Sequence, residues 1–391
     1  MTLSRFGFPT AIHFGSGASK EAGPHLAALG HRRPLVVTDR ALAQLAVTKG
    51  FVESLAAAGL SPVLFDGVHG NPNATQANAA GAAFRSSGAD CVIGFGGGAA
   101  LDVAKIVGVL GTAPGDAIEY AWDHPQVRPI PETLPYFIAL PTTAGTGSEV
   151  GRSSVISEDA SHVKRTVFSP KILARAVFAD PDLTLGLPAG ITAATGMDAL
   201  THNVESYLSP AYHPMCDGIA LEGARIAAAA LPHAVADGSD LASRAGMMMA
   251  SMMGAVAFQK DLGAVHACAH ALSTVADLHH GLANGIMIDH VMRFNLPVAA
   301  SKMAELAHVV RAPGADTGSE EARAEAFVRW LTTLKAMLGI PAKLSGLKSG
   351  RPVTSGDRAA LVDVAFRDLC HQTNPRRVTA ADFDALFAAA M

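Results

Sequence analysis

Along the chain, the spacing of hydrophobic positions changes character near residue 185. Before it, short apolar runs rich in β-branched residues alternate with longer alanine-rich stretches. The runs PLVVT (34–38), PVLF (62–65), DCVIGF (90–95), YFIAL (136–140) and RAVFAD (175–180) predict buried strands. Between several of them, NATQANAAGAAFRSSG and ALDVAKIVGVLG carry helical periodicity. Strand–helix–strand alternation predicts a parallel sheet covered by helices. After DPDLTLGLP the strand pattern stops, and from about Thr192 helix follows helix, as in TAATGMDALTHNVESYL, PMCDGIALEGARIAAAAL and SRAGMMMASMMGAVAFQ. The expectation is an α/β domain over 1–185 and an all-α domain over 186–391, with a ligand cleft between them. No internal repeat is present, and APGADTGSEEA (312–322) reads as a loop.

Composition narrows the picture. A chain of 391 residues, 49% of them hydrophobic, is long enough for two cores. A net charge of −4 provides no footprint for nucleic acid or an anionic membrane, so neither is expected as a partner. Cys91, Cys216, Cys268 and Cys370 form no CxxC pair, which argues against a zinc knuckle or disulfide framework and suits a reducing compartment. The first ten residues lack the apolar run of a signal peptide. The apolar run GMMMASMMGAVAF falls short of the roughly 20 residues that span a bilayer. It reads as a buried helix or a subunit interface. A soluble, cytoplasmic homo-oligomer, a dimer or larger, is expected.

Candidate chemistry gathers in four places. IGFGGGAALDVAK (93–105) follows a strand and opens a helix; Gly96, Gly97 and Gly98 let the backbone approach something bulky, and the helix N-terminus offers unpaired N–H groups. The spacing fits a loose Rossmann-like dinucleotide pattern, although tight packing alone accounts for such a turn. Asp39 ends the strand PLVVTD, where a carboxylate either accepts from ribose hydroxyls and repels a 2′-phosphate or caps a helix. PTTAGTGSEV (141–150) follows another strand, and its Thr142, Thr143, Thr146 and Ser148 either line a nucleotide or form a polar turn. Finally, Asp198 and His202 share a helical face, His266 and His270 are again four apart, and His280 follows. One carboxylate with two or three imidazoles suits Fe2+ or Zn2+, unless Asp198 is a capping acid and His202 incidental.

The motifs GGGAALDVAK, PTTAGTGSEV, DPDLT, TAATGMDALTHNVE and HACAHALSTVADLHHG occur in the order seen in iron-containing (group III) alcohol dehydrogenases, which the chain resembles over essentially its whole length. These are relatives of glycerol dehydrogenase and dehydroquinate synthase. LTLGLPAGITAATGMDA, AFQKDLGAVH and CHQTNPRR look most like the 4-hydroxybutyrate dehydrogenases within that family. The resemblance implies metal ligands at Asp198, His202, His266 and His280, and an NAD site lined by Gly96, Gly97, Gly98, Asp102, Thr142, Thr143, Thr146, Ser148, Lys164 and Leu183. Asp39 matches the acid at the adenosine ribose. His270 matches a histidine facing nicotinamide and substrate, the candidate for passing a proton, with a packing role as its alternative. His279 matches no family role. Two departures, Ala99 where serine is usual and Ala271 where proline is frequent, touch no ligand position.

The implied activity is metal-dependent hydride transfer between NAD(H) and a primary alcohol or aldehyde. An ω-hydroxy acid such as 4-hydroxybutyrate would require a cation, for which Lys260, His371 and Arg376, with Arg377 behind, are the candidates. A maleylacetate reductase or a hydroxyacid–oxoacid transhydrogenase shares the same scaffold. A dehydroquinate synthase-like lyase would need several basic residues around a phosphate substrate, and none stands near the ligand motifs.

Overall fold

The structure, a computed structural model, describes residues 6–8, 10–347 and 351–391. Contacts divide it into two compact units: Phe8–Thr143 with Gly147–Leu185, and Gly186–Met391 with Ala144–Thr146 and the described residues before Phe8.

The first unit is α/β. Its strands are β1 (Ala11–Phe14), β2 (Pro34–Asp39), β3 (Val63–Val68), β4 (Cys91–Gly96), β5 (Tyr136–Pro141), β6 (Ser153–Ser157), β7 (Lys164–Phe168) and β8 (Ala176–Ala179), and its helices are α1 (Ala22–Ala28), α2 (Ala46–Ala57), α3 (Ala74–Ser87) and α4 (Gly98–Thr112). Six strands form a sheet in the order β1-β8-β5-β4-β2-β3, every pair parallel. All five apolar runs became strands; β2, β4, β5 and β8 are buried on both faces, while β3, at the sheet edge, alternates between exposed and half-buried positions. Val36, Ile93, Ile138 and Ala176 align across four of them, and Leu26, Phe51 and Leu55 of α1 and α2 cover that row. Two features escaped the apolar pattern. β1 is a mostly exposed edge strand, and β6 and β7 form a separate antiparallel hairpin that pairs Ser153 with Phe168 and Ser157 with Lys164. Neither is a continuous apolar run, which was the signal used to find the others. The order of strands reverses between β2 and β4, the position at which open α/β sheets bind ligands beyond the strand carboxyl ends.

The second unit is helical, comprising α5 (Ala189–Leu208), α6 (Pro214–Ala236), α7 (Leu241–Ala257), α8 (Ala264–Ala276), α9 (His280–Val309), α10 (Glu320–Met337), α11 (Arg358–Arg367) and α12 (Ala380–Ala390). Nearly every residue of α5 from Thr192 on is buried, and α6, α7 and α9 pack around it. Close approach depends on small residues: a Cβ on Gly223 or Gly254 would meet the Asn203 side chain at 2.0 and 2.8 Å. Asn203 in turn donates to the carbonyls of Ala199 and Ala250, at 2.8 and 2.9 Å, which joins α5 to α7. The methionine-rich run is α7, with Met247, Met248 and Met252 buried. Counted with its flanking charges, the helix Leu241–Lys260 reaches 20 residues, so it and Pro214–Ala236 are long and apolar enough to cross a bilayer. Here they pack on each other and on α5, and Arg244 is buried, donating to the Gly238 carbonyl at 3.0 Å and the Thr192 hydroxyl at 2.7 Å.

Candidate metal centre

Three helices of the second unit carry the four expected ligands: donor atoms of Asp198, His202 and His266 lie within 4.8 Å of one another, and His280 meets the group at Asp198. Asp198, His202 and Glu205 recur at i, i+4 and i+7 on α5, so they share a face. His266 lies in the first turn of α8 and His280 opens α9. Asp198 Oδ1 lies 3.8, 3.6 and 3.4 Å from the Nε2 atoms of His202, His266 and His280. A tetrahedral ion with ligand bonds of about 2.1 Å has donor–donor edges of about 3.4 Å, so the three distances from Asp198 suit a divalent transition metal. Asp198, His202 and His266 are fully enclosed, as a dry, fixed ligand cage requires.

Electrostatics favour cation binding. Burial works to raise Asp198, yet the charges of His202 and His280 and hydrogen bonds from His266 and His280 hold it well below the usual carboxylate range. Burial, only partly offset by Asp198, lowers His202 to about 4, which leaves a neutral imidazole with a lone pair to donate. His266 works the other way: its burial is outweighed by hydrogen bonds to Asp198 and Glu205, which raise it to about 9, so a metal ion would have to displace the proton it holds toward Asp198.

The surrounding shell was not visible in the spacing of the histidines. Glu205 accepts the Nδ1–H of His266 at 2.6 Å and the amides of Val265 and His266 at 2.7 and 3.3 Å. That fixes the tautomer presenting Nε2 to the centre. Its position on the Asp198 face of α5 was the available signal. Asn284, one turn beyond His280, donates to Asp198 Oδ1 at 2.7 Å and sits 3.4 and 3.2 Å from the Nε2 atoms of His266 and His280. His270 stacks on His280 with ring centroids 5.1 Å apart, and its Nδ1 meets Asp368 Oδ2 at 2.7 Å. His279 is exposed and caps α9, its Nδ1 accepting from the Leu282 amide at 3.4 Å. Gly281 admits α9 to α5, because a Cβ there would fall 2.3 Å from the Ala194 carbonyl oxygen.

In the α/β unit, Asp39 and the glycines end β2 and β4, on the two sides of the switch point. Asp39 Oδ1 caps the following turn through the amides of Ala41 and Leu42, at 3.0 and 2.8 Å, while Oδ2 lies beside Gly96. Gly96 has φ +155°, and a Cβ on it would sit 2.7 Å from that of Ala100. Gly97 caps α4 with no side chain, which leaves first-turn amides for an anion, and a Cβ on it would meet Thr143 Oγ1 at 3.2 Å. Thr142 donates its amide to the Gly96 carbonyl at 3.1 Å. Thr146 falls in the stretch Ala144–Thr146, which belongs to the helical unit.

Other expected cofactor contacts are engaged within the scaffold. Asp102 accepts from Ser148 Oγ at 2.6 Å, Lys105 Nζ at 3.2 Å and the Val155 amide at 3.1 Å, so it and Ser148 lace α4 to the hairpin. Leu183 packs on the sheet's core cluster, and Lys164 opens β7, half-buried, opposite Ser157. The expected substrate cations are also committed. Lys260 is buried in an ion pair with Asp217; His371 bonds the Phe366 carbonyl at 3.0 Å; Arg376 lies 4.0 Å over the Phe294 ring and donates to that residue's carbonyl at 2.8 Å. Each of the three is thus held by neighbours within the helical unit.

Comparison with known proteins agrees with this geometry. Residues 9–181 match the family described as iron-containing alcohol dehydrogenase, and residues 192–391 match the C-terminal part of the Fe-containing alcohol dehydrogenase family. The chain is 36% identical to a 4-hydroxybutyrate dehydrogenase of Cupriavidus necator over 383 residues, 96% of each protein. It is 36% identical to a 1,3-propanediol dehydrogenase of Klebsiella pneumoniae over 97% of this chain and 96% of that one. A solved 1,3-propanediol oxidoreductase superposes with a TM-score of 0.94 at 34% identity, covering all of both chains. A sulfoacetaldehyde reductase from Bifidobacterium kashiwanohense, solved in complex with NAD+, gives 0.88 at 27% identity, covering 100% of this chain and 99% of that one.

Proposed function

Since the chain belongs to the iron-containing alcohol dehydrogenases, and is thus an oxidoreductase, we propose that it transfers hydride between NAD(H) and a small primary alcohol or aldehyde. The observation that carries this reading is the convergence of Asp198, His202, His266 and His280. Three imidazoles and one carboxylate suit Fe2+, and the same donors accept Zn2+. Once bound, the ion supplies Lewis acidity that eases loss of the hydroxyl proton, and the nicotinamide supplies the hydride acceptor.

The chain's own residues do the rest. Gly96–Gly98 and the open first turn of α4 seat the pyrophosphate, and Asp39 accepts from ribose hydroxyls while disfavouring a 2′-phosphate, which selects NAD over NADP. Glu205 and Asn284 hold the ligands in orientation. His270, stacked on His280, carries the hydroxyl proton away. With Lys260, His371 and Arg376 committed elsewhere, a neutral alcohol or diol is favoured over a carboxylate substrate.

The test is NADH formation by iron- or zinc-loaded protein offered 1,3-propanediol, 1-propanol and 4-hydroxybutyrate. Turnover is expected with the neutral alcohols, absent after chelation and restored by metal. Metal-bound protein that turns over none of them would overturn the reading, and a preference for 4-hydroxybutyrate would overturn the neutral-substrate part alone.

A further inference from the structure

Beside the centre stands a carboxylate that bonds none of the four expected ligands and meets His270 instead. Asp368 directly follows α11 and caps the short turn Leu369–Thr373, its Oδ1 accepting the Cys370 amide at 2.8 Å. That turn is fastened to the start of α8. Thr373 Oγ1 donates to the Leu262 carbonyl at 2.8 Å, and Asn374 Oδ1 accepts the Ala264 amide at 3.2 Å. The other oxygen, Oδ2, therefore has a fixed place, and it lies 2.7 Å from Nδ1 of His270 on α8. The segment CHQTNPRR thus braces the start of α8 through Thr373 and Asn374.

An ionised carboxylate can only accept. The hydrogen of a neutral His270 must then sit on Nδ1, and the lone pair on Nε2. The opposite tautomer would set a lone pair against a carboxylate at 2.7 Å. We infer that Asp368 is a positioning residue for proton transfer, holding His270 in the tautomer whose Nε2 takes the substrate hydroxyl's proton. The inference rests on the proposed dehydrogenase activity. In the oxidative direction Nε2 would take the O–H proton, and a bound nicotinamide would supply the acceptor for the carbinol hydride. The carbonyl forms, and the imidazolium then releases the Nε2 proton to solvent. Asp368 stays ionised throughout, opposite the imidazolium, as an orienting carboxylate does for a catalytic histidine.

The experiment compares zinc-loaded wild type with Asp368→Asn and Asp368→Glu. An Asn amide donates to Nδ1 and so stabilises the wrong tautomer. Expected for Asp368→Asn is a kcat lowered about 10- to 100-fold, with KM and metal content kept and a larger solvent deuterium isotope effect. Asp368→Glu should restore much of the rate. Unchanged kcat and isotope effect, or loss of metal as the sole cause of inactivity, would overturn the assignment. An independent readout is the long-range 1H–15N NMR spectrum of the zinc-loaded protein, with the His270 signals identified by His270→Gln. It should show the Nδ1–H form in wild type and the Nε2–H form in Asp368→Asn; a tautomer that does not change refutes the inference even if wild type oxidises no alcohol. Wild-type inactivity by itself counts against the proposed function and leaves the spectrum to decide the role of Asp368.

Discussion

Glu205 spans the first amides of α8 and Nδ1 of His266 with its two oxygens, and it is 3% exposed. Replacing it by Gln leaves one oxygen for three donors and puts an amide N–H against them. Metal affinity of Glu205→Gln should fall about 10- to 100-fold, measured by competition with a chromogenic chelator, while helix content stays constant. Undiminished affinity would remove Glu205 from the site. A second buried acid makes a pH-dependent contribution of its own. Burial raises Glu149 from the usual 4.5 to about 7, against a weaker pull from Lys105. A carboxyl whose folded value lies above its unfolded value binds more protons when folded. Its contribution is thus complete below about 4.5 and lost as pH rises through about 7. At about 1.4 kcal/mol per pH unit this amounts to something on the order of 3 kcal/mol. Urea unfolding at pH 5 and pH 8 should show a smaller stability difference in Glu149→Gln than in wild type.

At the scale of elements, the metal centre depends on how closely α9 enters against α5. Gly281 sets that approach, with only 2.3 Å between a hypothetical Cβ and the Ala194 oxygen. Gly281→Ala should move His280 away from Asp198 and abolish stoichiometric metal binding, read by elemental analysis, although every donor is retained. Full metal content in that variant would show that the helices have more slack than the packing implies. The same elements mark how far the sequence could be read. Asp198 and His202 were recognisable because a helix repeats every 3.6 residues, and strands β2, β4, β5 and β8 because parallel strands inside a sheet are apolar on both faces. Asp368 reaches His270 across 98 residues, and such a pairing leaves no periodic trace in the chain. Arg376 lies over the Phe294 ring, a contact that nothing in its local sequence announces.

Across the whole molecule, the two expected ligands belong to different units. All four metal donors lie in the helical unit, whereas Asp39 and Gly96–Gly98 lie in the α/β unit. Added Zn2+ should slow hydrogen exchange in α5, α8 and α9, and NAD+ should slow it at the carboxyl ends of β2 and β4 and the start of α4. Metal-induced protection confined to the sheet would contradict the assignment of donors. The centre also has a mechanical meaning. An ion gripping Asp198 and His280 closes a loop of 82 positions that contains α6, α7 and α8. At about 3.5 Å per residue, roughly 290 Å of contour length is then hidden from a pulling force until the ion's grip fails. A chain stretched from its ends should release that length in one late step when zinc is bound, and in earlier, smaller steps once a chelator has opened the clasp.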